Sequence, residues 1–163
     1  MDSKSDMYFN RAKTEFETSE ILFDISKSKD KKQNFNISQD STYYSGVISH
    51  SYYAIFYSAK AMLLTKNIET EAPEVHKKTL DTFKEEFIDS GLLDAKLLII
   101  YKQMIIRAET LLEIFKKEKK KRGDFTYNTI PQANLEPAEE SIKNAKEFIK
   151  HCNSYLTNLK NNH

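Results

Sequence analysis

The chain has 163 residues, with 25 Lys and Arg against 24 Asp and Glu, a formal net charge of +1, and only three Gly, three Pro and one Cys. This composition excludes a disulfide framework and a Cys-rich zinc site, leaves few turn residues for a β fold, and provides no Gly-rich phosphate loop. No apolar run approaches the roughly 20 residues that cross a bilayer, and the polar N-terminus lacks the apolar region of a secretory signal. We therefore expect a soluble, cytoplasmic, all-α protein without a membrane partner, folded as a single domain over residues 1–163.

Five segments carry the apolar spacing of amphipathic helices. The first spans about residues 6–26, and the charged, Asn-rich residues 27–40 that follow it predict a flexible loop. The second, about residues 41–66, is apolar or small on nearly all sides, which is typical of a central, buried helix.

The other three segments have clear end signals. The third spans about residues 73–90 before Gly91, and the fourth spans about 94–121 before Gly123. The fifth, about residues 137–159, carries a regular apolar stripe that includes Cys152, and residues 160–163 predict a frayed tail. Short connections between such helices predict one up-and-down bundle of four to five helices.

Two histidines are candidate site residues. His76 lies on the apolar face of the third helix, where a His is either a base or ligand or, more commonly, a satisfied core residue. His50 shares one side of the second helix with Tyr53 and Tyr57, and the three predict either a polar cluster or amphipathic side chains that line the bundle. Because the chain has no HExxH motif and no His pair four residues apart, we expect no metal and no cofactor.

A basic run ends the fourth helix and is the strongest local charge feature. It consists of Lys116, Lys117, Lys119, Lys120, Lys121 and Arg122. Basic side chains complement the negative end of a helix dipole, so one interpretation is a solvated cap. Six positive charges in seven positions exceed that need, so the alternative is contact with nucleic-acid phosphates. Beyond Arg122, Gly123 breaks the helix beside Asp124 and Tyr127, which predicts either a polar site or a fastening for the next loop.

Four elements of the chain resemble the HEPN (higher eukaryotes and prokaryotes nucleotide-binding) family in order and spacing. They are SHSYYAIFYSAKAMLL over residues 49–64, VHKKTLDTFKEEFIDSGLL over 75–93, RGDFTY over 122–127 and AEESIKNAKEFI over 138–149. The arrangement is similar to that of the small stand-alone prokaryotic branch. The resemblance implies a four- or five-helix bundle that forms a homodimer, with a polar site at the dimer face.

The resemblance also implies a function and shows where this chain departs from it. Many HEPN members are metal-independent RNases with an R-x4–6-H motif, in which the Arg stabilises charge at phosphorus and the His activates the 2′-hydroxyl. Others pair with a minimal nucleotidyltransferase as a toxin–antitoxin couple. In this chain the window after Arg122 holds Tyr127, Asn128 and Thr129 instead of the His. Since a Tyr is a poor base at neutral pH, the motif is degenerate.

We interpret the chain as a HEPN-type module that binds nucleotide or RNA with little or no catalysis, forms a homodimer and pairs with a minimal nucleotidyltransferase. The candidate binding residues are Arg122, Asp124, Tyr127, Tyr53, Lys116, Lys117, Lys119, Lys120 and Lys121. The candidates for a catalytic role are Arg122, Tyr127, His50 and His76. Two alternatives stay open, namely a metal-independent RNase toxin with His50 or His76 as its base, and a purely structural protein-interaction bundle.

Overall fold

The computed structural model describes residues 3–120 and 135–162, and every regular element in these two ranges is helical. The helices are α1 (Ser3–Lys27), α2 (Lys29–Asn34), α3 (Tyr44–Leu64), α4 (Val75–Phe83), α5 (Lys96–Lys120) and α6 (Leu135–Asn161). A π-helical segment, Lys84–Asp89, continues α4. The predicted all-α bundle is confirmed. None of the described helices combines the length and the apolarity that a membrane span requires.

Helix α3 is the centre of the bundle, as its apolar character on all sides predicts. Thirteen of its 21 residues are buried, and α1, α4, α5 and α6 all pack against it. A central helix has little free surface, and Tyr53 is the one residue of α3 that is exposed.

Helices α1 and α3 pack antiparallel over their whole length. Ser5 Oγ donates to the Ala61 carbonyl oxygen at one end (2.8 Å), and the Tyr43 backbone N–H donates to Ser26 Oγ at the other (2.8 Å). Gly46 permits this approach, because a Cβ atom at that position would lie 2.9 Å from Cδ1 of Leu22. The small residues of α3 therefore bring the α1 backbone close.

Buried aromatic rings join α4, α5 and α6 on another side of α3. The Phe83 ring lies 5.5 Å from that of Phe87 and 5.4 Å from that of Phe148, and Tyr101 packs edge-on against Phe148 at 5.6 Å. All four side chains are fully buried. This aromatic core fixes α4 and its π-helical extension relative to α5 and α6.

The segment between α3 and α4 determines where α4 begins. Lys60 Nζ donates to the carbonyl oxygen of Thr70 (3.0 Å), so residues 65–74 return along α3. As a result α4 begins beside Tyr52 and runs in the same direction as the second half of α3. The start of α4 and the later turns of α5 therefore lie near each other on the same side of α3.

Two predicted flexible regions are helical in part. Residues 27–40 contain α2, whose N-cap Ser28 accepts from the Lys31 backbone N–H and whose buried Lys32 donates to the Gln39 carbonyl oxygen (2.9 Å). The predicted frayed tail over residues 160–163 begins within α6, where Lys160 pairs with Asp6 of α1 at 2.9 Å. A polar cap stabilises the first region and an ion pair stabilises the second, and the spacing of apolar residues predicts neither feature.

Candidate functional site

A groove of about 540 Å³ opens between α3, α4 and α5. It is lined by Tyr52, Tyr53, Glu74, His76, Lys77, Leu80, Ile105, Ala108, Glu109 and Leu112. A smaller hollow of about 280 Å³ adjoins it and shares Tyr52, Tyr53, Ala108 and Leu112 with it. The volume lies in the range of small-molecule sites, and the walls are mostly apolar or aromatic with a few polar groups.

Three aromatic rings line the groove, those of Tyr52, Tyr53 and His76, and the buried ring of Phe56 packs against them. We call these four rings the aromatic platform. The His76 ring stacks on Phe56 with a centroid distance of 4.3 Å and on Tyr52 at 5.8 Å. Tyr53 meets the edge of His76 at 6.1 Å and is 37% exposed. The spacing of Tyr52, Tyr53 and Phe56 places them on neighbouring positions of α3, and His76 reaches them from the first turn of α4.

A hydrogen bond fixes the orientation of the His76 ring. The Tyr52 hydroxyl lies 2.7 Å from His76 Nδ1. Burial raises the pKa of Tyr52, with smaller contributions from the charges of Tyr53 and Glu109, so the phenol keeps its proton. Burial, and to a smaller extent the Lys60 charge, lowers the pKa of His76 below its ordinary 6.5, so the ring is neutral at pH 7.

These protonation states assign the tautomer of His76. Tyr52 is buried, and its hydroxyl proton is satisfied when it donates to Nδ1. The neutral ring then carries its own proton on Nε2. His76 therefore presents a hydrogen-bond donor to the groove, whereas a general base would need a bare Nε2.

The basic run begins one helical turn beyond the groove. Leu112 lines the groove, and Lys116 follows it at the i+4 position of α5, where its side chain is exposed. The backbone of α5 continues through Lys120. The side chains of Lys117, Lys119 and Lys120 lie outside what the structure describes, as do the whole residues Lys121, Arg122, Asp124 and Tyr127.

His50 lies on the other flank of α3, where it contacts α1. Its Nδ1 lies 2.5 Å from Glu15 Oε2. The other carboxylate oxygen, Oε1, accepts from Arg11 Nε at 2.9 Å and lies 2.8 Å from Arg11 Nη2. The Glu15 side chain is only 8% exposed, against 37% for His50 and 58% for Arg11. We call Arg11, Glu15 and His50 the Glu15 cluster.

The Glu15 cluster gives His50 the opposite tautomer from His76. A buried carboxylate only accepts hydrogen bonds, so Nδ1 of His50 carries the proton and a neutral ring leaves Nε2 bare. Sequence reasoning placed His50 with Tyr53 and Tyr57, and it missed Glu15 and Arg11. The i,i+4 spacing of Arg11 and Glu15 on α1 was a usable signal for their pairing, whereas their contact with α3 needed the fold.

Tyr53 and Tyr57 form a ridge between the two regions. Their rings stack at 6.1 Å, and the guanidinium carbon of Arg11 lies 5.6 Å from the centroid of Tyr57. The groove with its aromatic platform lies on one side of this ridge, and the Glu15 cluster lies on the other. Tyr53 thus lines the groove and is also part of the ridge, and its role in binding stays a prediction.

Neither region resembles a metal site. Over residues 3–120 and 135–162, no group of three or more His, Cys, Asp or Glu side chains is arranged to hold a metal ion. His151 pairs with Glu147 of its own helix at 3.0 Å, and Cys152 is fully buried, which raises the pKa of its thiol.

Comparison with known proteins agrees with the resemblance drawn from the sequence. The model of the HEPN domain matches residues 24–155. Two relatives come from Methanocaldococcus jannaschii. The one named "Putative toxin MJ0142" is 36% identical over 140 residues, which cover 86% of this chain and 82% of the relative. The one named "Putative toxin MJ0605" is 28% identical over 116 residues, covering 71% of this chain and 73% of the relative. No solved structure matches the chain.

Proposed function

The chain belongs to the HEPN domain family, and on that premise we propose that it is a toxin-type module that binds RNA or a nucleotide. The binding surface comprises the groove with its aromatic platform and the basic end of α5. The names of the two archaeal relatives support the toxin assignment. Catalysis is not required for this function, which fits the degenerate R-x4–6-H motif.

One observation carries this proposal, namely that the groove lined by the exposed rings of Tyr53 and His76 ends, at Leu112, one helical turn before the basic run that starts at Lys116. Base stacking on an aromatic side chain contributes roughly 1–3 kcal/mol per base, and every base has a face that can stack. Lysines that replace the counterions of phosphates add affinity that depends on salt. Tyr53 supplies an exposed ring and Lys116 an exposed charge on adjoining parts of one surface.

The residues that follow α5 extend the same proposal along the chain. Lys117, Lys119, Lys120 and Lys121 continue the basic run, and Arg122, Asp124 and Tyr127 come directly after it. We assign the lysines to general contact with phosphates, and Arg122, Asp124 and Tyr127 to direct contacts with one bound nucleotide. The Arg122 guanidinium can form two parallel hydrogen bonds with a phosphate of that nucleotide, which a lysine cannot do.

Binding of fluorescein-labelled single-stranded RNA, followed by anisotropy at low salt, tests the proposal. We expect Tyr53→Ala to weaken binding by about tenfold or more, because the variant has no ring at this position on which a base can stack. Phe35→Ala is the matched control, since Phe35 is 65% exposed but does not line the groove. Equal weakening by both substitutions, or no binding by the unaltered protein, would contradict the proposal.

A second copy of the chain and a minimal nucleotidyltransferase are the proposed protein partners. Helix α5 exposes Ile99 (58%) and Ile106 (64%) two turns apart on one face, an apolar surface away from the groove that a second copy would cover. We expect a dimer by sedimentation at micromolar concentration and a monomer after Ile106→Glu. A monomeric unaltered protein would exclude the homodimer. An adjacent nucleotidyltransferase gene whose product co-purifies with the protein would support the second partner.

A metal-independent RNase is the second candidate function, and the Glu15 cluster is the observation that favours it. His50 has a buried carboxylate bonded to its Nδ1, which leaves Nε2 as the ring nitrogen that can act as a general base, and Arg11 bonds to the same carboxylate. In such a reaction Nε2 takes the 2′-hydroxyl proton, O2′ bonds to phosphorus, and the 5′ oxygen leaves with a proton returned by the imidazolium. His76 is the weaker candidate because its Nε2 carries a proton.

RNA cleavage in the presence of EDTA separates the two candidates. If His50 is a base, the unaltered protein cleaves RNA, His50→Gln abolishes cleavage, and His151→Gln does not. His151 is a matched control because it also pairs with a Glu carboxylate, at 3.0 Å. If the protein binds the RNA but the RNA stays intact after prolonged incubation, the RNase function is excluded and the binding function is retained.

A further inference from the structure

Two carboxylates without ion-pair partners face the groove. Glu74 and Glu109 both line it and both are exposed, and among residues 3–120 and 135–162 neither forms a salt bridge. Elsewhere on the same helices acidic and basic side chains pair, as Arg107 does with Glu140 at 2.9 Å. Lys77 is the cation among the groove residues, so the groove carries more negative than positive charge.

This charge restricts what the groove binds. A phosphate placed beside two carboxylates is repelled, so the phosphates of a bound nucleotide belong at the Lys116 end of the surface. The groove itself suits a flat apolar ring that stacks on the aromatic platform and offers hydrogen-bond donors to a carboxylate. A nucleobase has this chemistry, and the bases differ in the donors that they offer.

Guanine has the complementary edge. Its N1–H and N2–H donors are adjacent and parallel, so a single carboxylate accepts both in a charge-assisted pair. Its O6 is an acceptor, and His76 presents a donor at Nε2. Adenine, cytosine and uracil each lack this pair of adjacent donors. Glu109 is the better placed carboxylate because it lines the groove from α5, the helix whose Lys116 marks the phosphate end of the surface.

We propose, on the basis of the proposed function, that the groove selects guanine in single-stranded RNA or in a nucleotide, with Glu109 accepting from N1–H and N2–H and His76 donating to O6. Tyr53 provides the stacking surface. The adjoining phosphates lie toward Lys116. Glu109 and His76 are then specificity-determining residues, and neither belongs to the family motif from which this chain departs.

The test uses short single-stranded RNAs that differ only in one central base, G, inosine or A, in the same uridine context. Inosine keeps O6 and N1–H but lacks the N2 amino group. We expect the G oligonucleotide to bind about tenfold or more tightly than the inosine and A oligonucleotides, because only guanine offers both donors to the carboxylate. Glu109→Gln removes this preference, since an amide cannot accept both protons.

Glu113→Gln is the matched control. Glu113 is an exposed carboxylate one turn further along α5 that does not line the groove, and the substitution changes the net charge equally. If both variants change binding to all oligonucleotides by the same factor, Glu109 acts only through its charge and the inference is overturned. The inference stands if only Glu109→Gln abolishes the preference for G.

Other results separate this inference from the proposed function. Equal binding of the G, inosine and A oligonucleotides overturns guanine selection but leaves RNA binding intact. No binding of any oligonucleotide overturns both. An arginine-containing peptide that binds in place of RNA, and that loses affinity in Glu109→Gln, would show that the acidic groove takes a protein side chain, which also overturns both.

Discussion

The hydrogen bond between Tyr52 and His76 makes a prediction at the level of one proton. Burial, and to a smaller extent the Lys60 charge, lowers the pKa of His76, and a donor to Nδ1 also stabilises the neutral imidazole, so we expect this pKa, measured by NMR titration, to lie below 6.5 in the unaltered protein. Tyr52→Phe removes the donor and should raise the pKa of His76 toward 6.5. Tyr53→Phe, whose ring meets His76 edge-on, should leave it unchanged. A pKa of His76 above 6.5 in the unaltered protein would contradict the assigned tautomer.

The same shift links pH to stability. Since the pKa of His76 is lower in the folded protein than in the unfolded chain, the unfolded state binds more protons just below pH 6.5. The contribution of His76 to stability is therefore full above pH 6.5 and is lost as pH falls toward the folded pKa. In urea denaturation, the unaltered protein should lose more stability between pH 8 and pH 5 than the His76→Gln variant loses. Identical losses in the two proteins would exclude this linkage.

The buried carboxylate of Glu15 makes a second prediction at the residue scale. Glu15→Gln keeps the shape of the side chain but leaves Arg11 and His50 with a poorer acceptor, so we expect a loss of roughly 1–3 kcal/mol in the free energy of unfolding. Glu17→Gln, at an exposed position on the same helix, should change it by less than about 0.5 kcal/mol. If urea denaturation shows that Glu15→Gln and Glu17→Gln change the free energy of unfolding equally, the Glu15 cluster contributes no more to stability than an exposed carboxylate does.

The close packing of α1 and α3 is tested at Gly46. Gly46→Ala should be nearly neutral, because the gain of about 1 kcal/mol in helix propensity offsets the displacement of the Leu22 side-chain end. Gly46→Val adds two more methyl-sized groups to the same contact and should cost roughly 1–3 kcal/mol. The measurement is urea denaturation, and a valine variant as stable as the unaltered protein would show that α1 does not approach α3 this closely.

Long helices were predictable from the sequence and short polar ones were not. The apolar and small residues on nearly all sides of α3 predicted both that it is a helix and that it lies at the centre of the bundle. The predicted range 41–66 lies within a few residues of Tyr44–Leu64. Helix α2 has no apolar stripe. It depends on the Ser28 cap and on the bond from Lys32 to Gln39, and both involve contacts that periodicity does not register. The extension of α6 depends similarly on a partner in α1.

At the scale of the whole molecule, the sequence named candidate site residues but did not indicate which of them meet. Tyr53 and His76 were separate candidates, and the fold joins them because residues 65–74 return along α3. His50 was expected beside Tyr57, but α1 supplies Glu15 instead. Pairings between residues this far apart in sequence arise from helix packing. The composition of one helix face cannot reveal them.

The salt dependence of RNA binding tests the central claim, which is that the groove and the basic end of α5 form one nucleic-acid surface. We predict that the affinity for single-stranded RNA falls linearly on a log–log plot against salt concentration. Replacing Lys116, Lys117, Lys119 and Lys120 by Gln should weaken binding and reduce the slope by about 0.7 for each phosphate that is no longer neutralised. Replacing the exposed α6 lysines Lys143, Lys146 and Lys150 should leave the slope unchanged. A flat salt response, or equal binding by the α5 variant, would contradict the claim.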